Sequence, residues 1–239
     1  MAKMERLDKV LGNLGYGTRK EIKKLTRSGG ITVNGEVVKD SSTKVDPEND
    51  EIVFFDETVN YRKYIYLMLN KPQGYISATE DYLHETVLEL IEEEDLVFKL
   101  FPAGRLDKDT EGFLLLTNDG QFSHKLLAPK NRVPKTYYAE ISGEVTEDDV
   151  EEFKQGIVLD DGYETLPAEL EIIKSGPVSE IELTIVEGKF HQVKRMFEAV
   201  GKRVIYLKRI SIGNLNLDED LELGEYREIS PEEIENIMD

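Results

Sequence analysis

The chain has 239 residues, no cysteine and a formal net charge of −19. It therefore has no disulfide, thiolate nucleophile or cysteine-held zinc site, and His84, His124 and His191 lie too far apart in sequence to suggest a histidine metal cluster. No apolar run reaches the roughly 18 residues of a membrane helix, and MAKMERLDK lacks the apolar stretch of a secretory signal, so a cytoplasmic protein of one or two domains is expected.

In chain order, Leu7, Val10, Leu11 and Leu14 form an i, i+3, i+4, i+7 stripe, which predicts an amphipathic helix over Arg6–Leu14 ended by Gly15 and Gly17. Thr18 and Glu21 have the spacing of a capping box that opens a second helix. Ile22 and Leu25 give that helix its buried face, and Arg19, Lys20, Lys23 and Arg27 crowd its start and polar side. Ile31 and Val33, the Asn34-Gly35 turn, and Val37 and Val38 read as a short hairpin. Residues 56–64 read as a linker. Beyond it lie strands at YIYLMLN, FLLLTN, KTYYAEI, SEIELTIVEG and ISIGNLNL, with helices near 85–94, 121–127, 146–156 and 190–200. Strands with scattered helices and few long βαβ periods indicate an α+β domain with a mixed, mostly antiparallel sheet. No Gly-rich phosphate loop is present.

Charge is unevenly spread. Residues 1–35 hold eight Lys/Arg against three acids, and residues 187–213 hold seven against two. Residues 80–95 hold eight acids and no Lys/Arg, and residues 218–239 ten acids and one Arg. A polyanion responds to local potential within about 8 Å in physiological salt, so two basic surfaces on an acidic body are compatible with nucleic acid.

The chemistry-bearing run is GRLDKDTEGFLLLTNDG, residues 104–120, a polar loop entering an apolar strand. By pattern alone it reads as a turn before a buried strand. The carboxylates of Asp107 and Asp109 are expected to point to opposite faces and not to act as a pair. That expectation, with the absence of tryptophan, weighs against a glycoside hydrolase.

The run resembles the motif of pseudouridine synthases that modify ribosomal RNA, and the resemblance assigns the essential carboxylate to Asp107. Relatives usually carry Leu where this chain has Phe113, an apolar exchange within a strand. Asn70-Lys71-Pro72-Gln73-Gly74 resembles the family's first motif, with Lys71 a loop-positioning and RNA-side residue. Lys135-Thr136-Tyr137 resembles the motif whose tyrosine stacks on the target base. EGKFHQVKRM, residues 187–196, resembles the motif that supplies the basic partner of the aspartate, here Lys194, with Arg195 beside it on the RNA side. Arg105, two places before the aspartate, is implied to fill the space left by the flipped uridine. His191 is expected to be structural.

Residues 4–56 resemble the small αL-type RNA-binding domain of a ribosomal protein and several RNA-modifying enzymes, through RLDKVL, TRKEI and GGITVNGEVV. The implied division is 1–58, RNA-binding, and 59–239, catalytic, with Arg6, Lys9, Arg19, Lys20, Lys23 and Arg27 facing RNA. NKPQGYISATED, LPAELEII, EGKFHQVKRMFEAVGKRV and LELGEYREISPEEI extend the resemblance to the bacterial small-subunit (16S) enzymes, the RsuA family. Its implications are a monomer acting on 16S ribosomal RNA, within a small-subunit assembly intermediate, and needing no cofactor or metal. The alternatives are a large-subunit (23S) enzyme of the same domain order and a non-catalytic ribosome-assembly factor.

Overall fold

The computed structural model describes residues 4–238. By density of contact the chain divides into two units: residues 1–65 with 92–100, and residues 66–91 with 101–239.

In the first unit, β1 (Glu5–Arg6) leads into α1 (Leu7–Asn13), which turns Leu7, Val10 and Leu11 inward. α2 (Arg19–Arg27) is opened by the expected capping box: the Thr18 side chain accepts from the Glu21 amide at 3.3 Å, and Glu21 Oε2 accepts from the Thr18 amide at 2.8 Å. β2 (Ile31–Val33) and β3 (Glu36–Val37) form the hairpin, with Asn34 and Gly35 both at positive φ, as a type I′ turn requires. β4 (Lys44–Val45) pairs with β1, and β5 (Ile52–Phe54) and β6 (Glu57–Thr58) complete a four-stranded sheet in the order β3-β2-β5-β6. Ile22, Ile31, Val45, Ile52 and Val59 close the core with the α1 residues. The stretch read as a linker thus contains β6 and buries Val59.

The helix expected near 85–94 is two pieces, because Ile91 is extended (φ −104, ψ 135). Val87–Leu90 is a 3-10 turn of the second unit, whereas α3 (Glu93–Leu96) belongs to the first. There Arg62 meets Asp95 at 4.0 Å and sits 5.1 Å over the Phe98 ring.

The second unit is built on one nine-stranded sheet. Its members are β7 (Tyr66–Lys71), β8 (Phe101–Pro102), β9 (Glu111–Thr117), β10 (Lys135–Ser142), β11 (Glu169–Lys174), β12 (Val178–Ile185), β13 (Arg203–Ile212), β14 (Leu215–Asn216) and β15 (Tyr226–Glu228). The path runs β11-β12-β10-β13-β9-β7-β15, with β14 on β13 and β8 on β9. Only the β13–β9 pair is parallel, so the sheet is mixed and mostly antiparallel, as read from the sequence. β9 is buried along nearly its whole length, which explains its unbroken apolar run Phe113–Leu116.

Four helices cover this sheet: α4 (Gly120–Leu127), α5 (Glu147–Gln155), α6 (Gln192–Ala199) and α7 (Pro231–Asn236). Asp119 caps α4 by accepting from the amides of Gln121 and Phe122. Met68, Phe113 and Leu115 pack with Leu126, Ile212, Ile229 and Ile237 in one core, and Phe153 of α5 meets Phe197 of α6 at 4.9 Å between centroids.

Candidate active site

The loop from Gly104 to Thr110 carries the expected carboxylate and is tied down on both sides. Leu106 is buried, and its amide and carbonyl both bond Ser77 Oγ, at 3.0 and 2.9 Å. The Gly74 amide donates to Lys108 O at 2.8 Å. Lys71, with no exposed surface, donates from Nζ to the carbonyls of Pro72, Asp107 and Thr110 at 3.0, 3.1 and 2.9 Å. This corrects the RNA-side placement of Lys71: it cannot touch RNA from inside the protein, and it holds the loop instead. Burial pushes its pKa down to about 8, against the pull of Asp109, Asp107 and Glu111.

The Thr110 amide bonds Asp107 O at 3.1 Å, closing a turn in which residues 107 and 109 face the same cation. Lys194, on the first turn of α6, stands 3.2 Å from Asp107 Oδ2 and 2.6 Å from Asp109 Oδ1. The expectation that the two carboxylates diverge is therefore overturned: the turn brings them together. Burial works against charging Lys194, but Asp109 and Asp107 outweigh it and hold its pKa above the ordinary value. At Asp109, burial raises the pKa, but the Lys194 hydrogen bond and charge prevail and hold it low.

His191 Nε2 lies 3.6 Å from Asp107 Oδ1, the oxygen that Lys194 does not hold. His191 has a left-handed backbone (φ 50), and the Phe190 ring stacks on its imidazole at 3.7 Å. The sequence reading took His191 as structural, weighed Asp109 only as a second acid facing away from Asp107, and did not single out Ser77 or Phe190. The HQ spacing pointed to the helix start, but nothing in it signalled the left-handed turn that aims the imidazole at Asp107.

Arg195 faces elsewhere. Its guanidinium pairs with Asp160 and Asp161 at 2.5 and 2.7 Å, so its charge is already neutralised and it is not a free phosphate contact. One helical step of about 100° separates the two neighbours' roles. Arg105 is exposed at the start of the loop.

Tyr137 is 8% exposed and belongs to one row of paired residues across five strands: Leu183, Tyr137, Arg209, Gly112 and Lys71. Gly112 (φ +98) leaves no room for a side chain, because a Cβ there would meet the Arg209 carbonyl. Arg209 is buried, donates from Nε to Phe113 O at 2.8 Å, and lies 6.0 Å from the Tyr137 ring. The row fixes Tyr137 relative to the strand into which the Asp107 loop leads.

In the first unit, Arg6 is held by Asp8 through contacts of 3.0 and 2.6 Å, and Lys9 by Glu5 at 2.7 Å. Each of these two charges thus has an acidic partner, with about half of its side chain still exposed. Arg19, Lys20, Lys23 and Arg27 are exposed along α2 and form no ion pair among the described residues, so α2 carries a cluster of available positive charge. No cluster of three His, Asp or Glu able to hold a metal ion occurs among the described residues.

A family model described as RNA pseudouridylate synthase matches residues 65–199, and one described as S4 domain matches residues 5–52. An uncharacterised RNA pseudouridine synthase of Bacillus subtilis is 50% identical over 230 residues, covering 96% of each chain. The ribosomal small subunit pseudouridine synthase A of Yersinia pestis is 43% identical over 97% of each chain, and that of Escherichia coli is 41% identical over 98% of this chain and all of its own. A crystal structure of a pseudouridylate synthase superposes with a TM-score of 0.69 at 41% identity, covering 97% of this chain and 99% of that one.

Proposed function

The chain belongs to the RNA pseudouridylate synthase family, and on that premise we propose that it converts a uridine of 16S ribosomal RNA to pseudouridine, with Asp107 as the catalytic carboxylate. The observation that carries this reading is the ion pair of 3.2 Å between Lys194 and Asp107, which are 87 positions apart in sequence. It holds an anion at the mouth of a rigid loop beside the Tyr137 row. The small-subunit substrate rests on near full-length likeness to enzymes named for that activity.

The reaction breaks the bond between uracil N1 and ribose C1′ and forms one from C5 to C1′; C5 gives up a proton and N1 gains one. Atoms and electrons balance within the nucleotide, so the protein must supply position and charge. Lys194 holds Oδ2 of Asp107 and leaves Oδ1 on the His191 side for the substrate. Extruding the uridine costs a few kcal/mol. Arg105 fills the vacancy, a task its planar guanidinium suits, and Tyr137 supports the uracil. The N-terminal domain grips phosphates through α2. The enzyme acts in the cytoplasm as a monomer on an assembly intermediate, in which the uridine is still accessible.

Release of tritium from RNA labelled at uracil C5 tests the reaction, and mapping pseudouridine in 16S and 23S RNA tests the substrate. Wild-type protein should release tritium from 16S RNA and Asp107→Asn should not. Release from 23S RNA alone would overturn the substrate. Turnover by Asp107→Asn near the wild-type rate would overturn the assignment of the carboxylate.

A further inference from the structure

Phe190 is 69% exposed, yet its ring is not loose. One face is covered by His191 at 3.7 Å and an interplanar angle of 20°. The backbone beneath it is held by a buried polar network. Glu187, 8% exposed, accepts from Tyr163 Oη, the Leu166 amide and Gln192 Nε2 at 2.8, 2.9 and 2.8 Å. Gln192 Oε1 in turn accepts from the Lys189 amide at 2.9 Å, and Arg195 Nη1 reaches Phe190 O at 3.4 Å.

Single exposed apolar residues are ordinary on protein surfaces. Two things set this ring apart. It stacks on His191, whose backbone is left-handed, a conformation a non-glycine adopts at an energetic cost. It is also one imidazole away from the Asp107 carboxylate, since His191 Nε2 lies 3.6 Å from Oδ1. An open aromatic face at that place is what extrusion of a nucleotide calls for. Arg105 fills the space the uridine leaves, but a neighbouring nucleotide drawn out toward the site with it also loses a stacking partner. Every base has a π-face, so an aromatic side chain can replace that partner without reading sequence. Lys189, exposed and 4.3 Å over the Tyr163 ring, places beside Phe190 a cation of the kind that meets phosphates.

We propose that Phe190 is a second stacking platform, which binds the nucleobase adjacent to the flipped uridine while Tyr137 supports the uridine itself. The inference rests on the proposed action on RNA and adds to it a subsite for a flanking nucleotide.

The chain has no tryptophan, so Phe190→Trp creates a single reporter at the site. Its emission should be quenched by an RNA segment containing the modified uridine. The same RNA with abasic residues on both sides of that uridine should leave it unquenched. Stacking worth 1–3 kcal/mol corresponds to about 5- to 150-fold in affinity. Phe190→Ala should therefore raise KM by that range, with a smaller change in the rate of bound RNA, and Phe190→Trp should restore it. If wild type isomerises the RNA while Phe190→Ala keeps its KM or the tryptophan emission ignores the flanking bases, the platform is overturned and the function stands. If wild type isomerises no RNA, the function fails and this inference falls with it.

Discussion

Asp107 has two neighbours of different kind: a lysine on Oδ2 and an imidazole beside Oδ1. Removing the charge at position 194 should misplace the carboxylate as well as discharge its surroundings. Lys194→Met should lower the single-turnover rate on the order of a hundredfold, the usual cost of misplacing a reacting group by about 1 Å. Lys194→Arg should keep more of it, and Arg195→Met, whose wild-type guanidinium faces Asp160 and Asp161, should be mild. An inactive Arg195→Met beside a normal Lys194→Met would reverse the assignment. Lys71 gives a pH test. Its folded pKa, lowered by burial to about 8 from the ordinary 10.5, means that between those values the unfolded chain binds more protons than the folded one. Stability contributed by this group therefore rises with pH across that window. Deprotonation also removes one of three donors that hold the Asp107 loop, so activity should fall while stability gains. In urea unfolding, the stability of wild type relative to Lys71→Met should rise from pH 8 toward 10.5. A difference that stays constant with pH would refute the shift.

At the scale of elements, Gly112 is the point where β7, β9 and β13 meet. Gly112→Ala combines positive φ with a collision against β13 backbone, and should destabilise by about 2 kcal/mol or more. Unfolding within about 0.5 kcal/mol of wild type would mean that the parallel pair can shift. Much of this architecture was legible. The α1 stripe, the Thr18–Glu21 box, the Asn34-Gly35 turn and the apolar run of β9 each satisfied a local rule and formed as read. β13 was recognised only from Ile210 onward, because Arg203, Lys208 and Arg209 interrupt its apolar pattern. Those charges are accommodated by tertiary structure, most clearly at Arg209, which the Phe113 carbonyl receives. α7 was lost in an acidic tail, although Ser230 and Glu233 form a capping box with Pro231 at the first turn. The site was legible through its motifs. The convergence of Asp107 and Asp109, the burial of Lys71 and the pairing of Arg195 with Asp160 and Asp161 depend on turns and distant partners that no local pattern encodes.

Across the whole molecule, a net charge of −19 coexists with an exposed basic face on α2. Replacing Arg19, Lys20, Lys23 and Arg27 by Gln should weaken RNA binding and flatten the salt dependence by about 0.7–0.9 in log–log slope for each charge that touches a phosphate. An unchanged slope would remove α2 from the interface. The division of the chain has a different consequence. The first unit takes residues 92–100 as well as 1–65, and residues 66–91 between them belong to the second. During synthesis, the core of the N-terminal unit, residues 7–59, can close before residues 92–100 emerge to join that unit. When residue 100 has left the ribosome, β7 is already outside and still unpaired. Tyr66–Lys71, mostly apolar and destined to be paired on both sides, by β9 and β15, is then the segment of the nascent chain in most need of shelter. A chaperone that captures this protein during translation would be expected to hold it there, and to let go only when β9 arrives.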